Sequence, residues 1–128
     1  MSSVYYIVYM TRMTFGGYVR EVRERLRKKD ARYSVRQVAH RVGIEPAYLS
    51  KVERGDVAPP SEETIRRLAG EIGEDPDVLL AMAGKVSTDL KEIICRRPTL
   101  FAELLRELRQ TPDHAILRIV REVRDGEW

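Results

Sequence analysis

The chain has 128 residues, 43% of them apolar and 34% charged, a length and make-up that suit one compact domain with an appendage rather than two full domains. One cysteine, Cys95, excludes an intrachain disulfide, and no run of about 18 apolar residues is present to span a membrane. These features point to a cytoplasmic protein, and the net charge of +3 settles no partner by itself. Its distribution is more informative. Residues 14–60 hold 11 Lys/Arg and 6 Asp/Glu, residues 61–84 hold 2 and 6, and residues 85–128 hold 9 and 8. The basic excess of the first stretch is the kind of footprint that phosphate binding leaves.

Residues 1–13 include Val4-Tyr5-Tyr6-Ile7-Val8-Tyr9, a strand-prone run that stands alone. It is read as an N-terminal arm that pairs with its copy in a dimer, or as an extension upstream of a later start at Met10 or Met13. A helix is expected over about 14–29, with Phe15, Tyr18, Val19, Val22 and Leu26 on one face and Arg20, Glu21, Glu24, Arg27 and Lys28 on the other. Asp30-Ala31-Arg32 interrupts that pattern.

Ser34 is placed to cap a second helix, with Gln37 completing a capping box and Val35, Val38, Ala39 and Val42 as its apolar positions. Gly43 ends it. Pro46 suits the first turn of a third helix that runs to Arg54, with Leu49 and Val52 inward and Gly55 closing it. Ser61 caps a fourth helix carrying Ile65, Leu68, Ala69 and Ile72, and Asp75-Pro76 opens a fifth that ends at Gly84. Residues 85–128 read as three amphipathic helices opened by Ser87, Pro98 and Thr111-Pro112. Forty-four residues are too few to bury a core without disulfides or metal. The stripe of Leu100, Phe101, Leu104, Leu105, Leu108, Ile116, Ile119, Val120 and Val123 must therefore cover another surface, and a second copy of the chain is preferred over its own first domain.

No phosphate loop, nucleophile elbow or paired catalytic carboxylates are found, so the chain is read as no enzyme and without cofactor. His40 and His114 lack ligand spacing, so no metal site is expected, and Cys95 is read as a small buried apolar residue.

The informative stretch is Ser34-Val35-Arg36-Gln37-Val38-Ala39-His40-Arg41-Val42-Gly43-Ile44-Glu45-Pro46-Ala47-Tyr48-Leu49-Ser50-Lys51-Val52-Glu53-Arg54-Gly55. It resembles the phage-repressor and Cro class of helix-turn-helix proteins, often called the xenobiotic-response-element family, over Phe15-Gly16 to Gly84. The resemblance implies an all-α, five-helix domain over 14–84, dimeric, with its third helix in the major groove of double-stranded DNA. It implies that Glu45, Ala47, Ser50 and Lys51 face base edges. It further implies that Ser34 and Val35 start a helix aimed at a phosphate, that Arg36, Tyr48 and Arg54 contact the backbone, and that Arg23 pairs with Glu53. The chain departs from this class in four ways, the first being that Glu45 puts an acid near DNA. Val35 stands where many relatives carry Gln, the loop Asp56-Val57-Ala58 lacks lysine, and the connection before Ser34 is long. The expectation is a dimeric transcriptional repressor. The alternative is a protein-interaction module, or an antitoxin-like accessory regulator with weak or no DNA binding.

Overall fold

The computed structural model describes residues 13–128, so the strand-prone run of residues 4–9 lies outside the described residues. All regular elements among the described residues are helical. They are α1 (Phe15–Arg27), a 3-10 turn (Ala31–Tyr33), α2 (Val35–Val42), α3 (Pro46–Arg54), α4 (Glu62–Ile72), α5 (Pro76–Met82), α6 (Thr88–Arg96), α7 (Pro98–Leu108) and α8 (Asp113–Asp125). Two compact units result, dividing between Ser87 and Thr88. No helix among the described residues is long and apolar enough to cross a membrane.

In the first unit, local chemistry sets the helix starts. The Thr14 hydroxyl accepts the Gly17 N–H at 3.0 Å, the Ser34 hydroxyl that of Gln37 at 3.2 Å, and the Ser61 hydroxyl that of Thr64 at 3.4 Å. Each satisfies a first-turn amide that has no carbonyl within its helix. Only half of the expected capping box at Ser34 forms this way, because the Ser34 N–H donates to the Ala31 carbonyl at 3.2 Å. That bond belongs to the 3-10 turn occupying the stretch where the sequence pattern broke. Asp30 caps the turn by accepting the Arg32 N–H at 3.0 Å.

The core is assembled from one face of each of the five helices. Phe15, Tyr18, Val19 and Val22 of α1 meet Val38, Ala39 and Val42 of α2, Leu49 and Val52 of α3, Ile65, Leu68, Ala69 and Ile72 of α4, and Leu79 and Leu80 of α5. Burying a Leu, Ile or Val side chain contributes about 1.5–3 kcal/mol, so this cluster is the main stabilising term of the unit. Polar ties close its margin. The Tyr18 hydroxyl donates to the Glu74 carboxylate, and the Lys85 ammonium donates to the Pro60 carbonyl at 2.7 Å.

The second unit, Thr88–Trp128, is differently built: none of α6, α7 and α8 contains a buried residue. Cys95 on α6 is exposed rather than buried, because the helix has no packed core for a small apolar residue to enter. Trp128 is 87% exposed, with its indole N–H donating to the Val123 carbonyl at 3.2 Å.

Candidate nucleic-acid interface

The pair α2–α3 is set by the turn between them. Gly43 has φ +87°, a left-handed conformation in which a side chain is disfavoured, so the chain reverses there without strain. The amides of Gly43 and Ile44 both donate to the Ala39 carbonyl, at 2.9 and 3.0 Å, which ties the turn to the end of α2. Glu45 then takes extended geometry ahead of Pro46 and makes no side-chain cap. The periodicity of α3 divides it into two sides. Leu49, Val52 and Glu53 are buried, whereas Glu45, Ala47, Lys51 and Arg54 are exposed and Tyr48 and Ser50 are half-buried. Tyr48 and Val35 also pack against the core margin, so part of each side chain is committed to the fold.

Two features lock α3 to α1. The first is steric. A Cβ built on Gly16 would lie 2.1 Å from the Val52 carbonyl oxygen and 2.8 Å from that of Glu53, so only glycine lets the two backbones approach this closely. The second is ionic. Arg23 is 1% exposed and Glu53 7%, and they bond in a fork: Nε to Oε2 at 2.7 Å and Nη2 to Oε1 at 2.9 Å. The remaining Arg23 donors reach the Tyr33 carbonyl at 3.1 Å and Glu24 Oε1 at 3.0 Å. Burial disfavours the charged guanidinium, but the hydrogen bonds and charge of Glu53, with those of Glu24, outweigh it and hold the Arg23 pKa above its ordinary value. The structure thus brings Arg23 and Glu53 together directly beneath the exposed side of α3.

Charge on this face is partly neutralised. Arg54 Nε is 2.9 Å from Asp56, and Arg32 Nη2 is 2.8 Å from Asp30. Arg41 Nε is 2.6 Å from Glu71, with its guanidinium 5.4 Å from the Tyr33 ring centroid. Asp30 is pushed down to about 2 by the side-chain and backbone hydrogen bonds of Arg32. Arg20, Arg36 and Lys51 have no ion-pair partner among the described residues.

Two open hollows flank α3. A groove of about 930 Å³ on the α2 side is lined by Arg32, Arg36, Gln37, His40, Arg41, Ile44, Glu45 and Pro46. A smaller hollow of about 230 Å³ is lined by Arg20, Arg23, Glu24, Val35, Ser50, Glu53 and Arg54. Of the DNA-contacting residues expected from the sequence, Arg36 and Glu45 line the groove and Val35, Ser50 and Arg54 the hollow, while Ser34, Ala47, Tyr48 and Lys51 line neither. Arg20, Arg32, Gln37 and His40 join them although sequence reasoning assigned them no binding role. For Arg20 the available signal was its place three residues before Arg23, on the same side of α1.

The stripe of the second unit is largely open. Leu100, Leu104, Leu105, Ile119, Val120 and Val123 are between 39% and 63% exposed, and Phe101, Leu108 and Ile116 are half-buried. Among the described residues no cluster of His, Cys, Asp and Glu is grouped to hold a metal ion.

The family model described as a helix-turn-helix domain matches residues 14–81, over half of the chain. No curated protein and no solved structure matches.

Proposed function

We propose that this chain, which belongs to the helix-turn-helix domain family, is a sequence-specific DNA-binding transcriptional repressor of the phage-repressor and Cro class. The observation that carries the reading is the two-sidedness of α3. Leu49, Val52 and Glu53 anchor its inner side, while Ala47, Lys51 and Arg54 are exposed on its outer side and Glu45 and Pro46 at its start border a groove that carries Arg32, Arg36 and Arg41. Such a helix fits the major groove, which admits one α-helix.

In this reading α3 enters the groove with Glu45, Ala47, Ser50 and Lys51 toward base edges. Lys51 donates to guanine O6 and N7, Glu45 accepts from cytosine N4, and Ala47 touches a thymine methyl. The start of α2 at Ser34 and Val35 meets a phosphate, and Arg36, Tyr48 and Arg54 contact the backbone.

The protein acts as a homodimer through 85–128. Two observations support a second copy as the cover for that stripe. Thr88–Trp128 contains no buried residue, so its helices lack a core of their own. The same segment carries eight Lys/Arg and eight Asp/Glu, so two copies meet without net repulsion. A two-fold interface also spaces two recognition helices for a palindromic site.

The reading is tested by titrating duplex DNA across salt. With roughly eight phosphates contacted per dimer, log K against log salt should fall with a slope near −7. A flat response refutes DNA binding and favours the protein-interaction alternative.

A further inference from the structure

The hollow beside α3 adds to Val35, Ser50 and Arg54 an arginine to which the family resemblance gave no role, Arg20. Arg20, Val35, Ser50 and Arg54 line it, above the buried Arg23–Glu53 pair. Its acids are already engaged. Both Glu53 oxygens accept from Arg23, at 2.7 and 2.9 Å, and Glu24 Oε1 lies 3.0 Å from Arg23 and 3.6 Å from Arg27. Three arginines against two glutamates leave the lining at net +1. Asp56, 2.9 Å from Arg54, balances that charge, so the hollow gains its positive charge toward a singly charged phosphodiester only as Asp56 gives way.

The two arginines at the rim differ. Arg20 is exposed and makes no ion pair within 4.0 Å among the described residues, its charge acting only at longer range on Glu24, whereas Arg54 is held 2.9 Å from Asp56.

We infer that Arg20 is one arm of a clamp that takes a single DNA backbone phosphodiester, with Arg54 as the opposing arm and Asp56 as the counter-charge the phosphate must displace. The inference rests on the DNA-binding reading above. The clamp carries no base information; it fixes how deeply α3 sits in the groove. Asp56 lowers affinity for every sequence alike and leaves discrimination to the residues that face base edges.

The test uses the full chain, Arg20→Gln and Asp56→Asn. Each is titrated by fluorescence anisotropy against two duplexes, one chosen by selection from random sequence and one scrambled, from about 50 to 200 mM salt. Arg20→Gln should weaken both duplexes by the same factor, roughly five- to tenfold at low salt. Its salt slope should be shallower by about 0.9 per clamped phosphate, with unchanged thermal unfolding. Asp56→Asn should tighten both. Wild-type slope and affinity in Arg20→Gln overturn the clamp and leave the DNA reading standing. Weakening of the selected duplex alone also overturns it, since Arg20 would then be reading a base. If inorganic phosphate at constant ionic strength displaces duplex from the wild type but not from Arg20→Gln, the hollow takes free phosphate and the clamp is wrong. If the wild type binds neither duplex, the DNA reading fails, and the clamp with it.

Discussion

Replacing Glu53 with alanine removes two hydrogen bonds, at 2.7 and 2.9 Å, from a guanidinium that is 1% exposed. Arg23 keeps the Tyr33 carbonyl and Glu24, but its Nε donor is left buried without a partner. Hydrogen bonds to charged groups are worth about 1.5–3 kcal/mol each, so the pair amounts to roughly 3–6 kcal/mol. Breaking a buried ion pair by deleting one member costs about 3–5 kcal/mol in general. A unit of about 75 residues has roughly 4–11 kcal/mol of total stability. Glu53→Ala should therefore bring the first unit close to unfolded at room temperature. The double variant Arg23→Met, Glu53→Leu removes both charges and should recover most of the loss. Urea denaturation followed by far-ultraviolet circular dichroism reads both. A loss below about 1 kcal/mol in Glu53→Ala would refute the claim that this pair locks α3 to α1.

Four other outcomes follow from the same geometry. Gly16→Ala forces a Cβ to within 2.1 Å of the Val52 carbonyl oxygen, so it should cost at least about 2 kcal/mol in the same urea experiment. Lys51→Ala should relax preference at one base pair at a cost of about 1–3 kcal/mol on the best site, while Arg36→Ala weakens all sequences alike, as competition binding would read. Leu104 is 42% exposed on α7, and Leu104→Glu should convert a sedimenting dimer to a folded monomer; a persistent dimer would move the interface elsewhere. Asp30, lowered from 3.8 to about 2 by Arg32, favours the folded state above the higher value and loses that contribution as pH falls through about 2. A carboxyl NMR titration should show the Asp30 midpoint near 2 in the wild type and higher in Arg32→Gln.

The helices of the first unit were legible because capping residues and apolar spacing agree. Ser34 and Ser61 cap where their hydroxyls precede a run such as Ile65, Leu68, Ala69 and Ile72, whereas the Thr14 cap, at the residue where the first helix was expected to begin, emerged only in the structure. The turn at Gly43 was legible for the same reason, since a glycine after an apolar helix end signals left-handed backbone. Other features carry no periodic signal. Gly16 has no pattern that distinguishes a close backbone approach from a weak helix start, and the need for glycine appears only when the Val52 carbonyl is in place. The pairing of Arg54 with Asp56 depends on side-chain conformation rather than spacing. Arg20 looked like one more charge on a solvated face until α2 and α3 placed Val35 and Ser50 around it. Cys95 next to Ile93 and Ile94 suggested burial, but an amphipathic stripe does not say what covers it, and here the cysteine is exposed.

Selection of bound DNA from a random-sequence pool with the full chain tests the central claim most directly. A dimeric groove reader should enrich a near-palindrome whose half-sites are centred about 34 Å apart, one turn of the duplex. Recovery of no enriched motif, at salt low enough to retain electrostatic binding, would contradict sequence-specific recognition by α3.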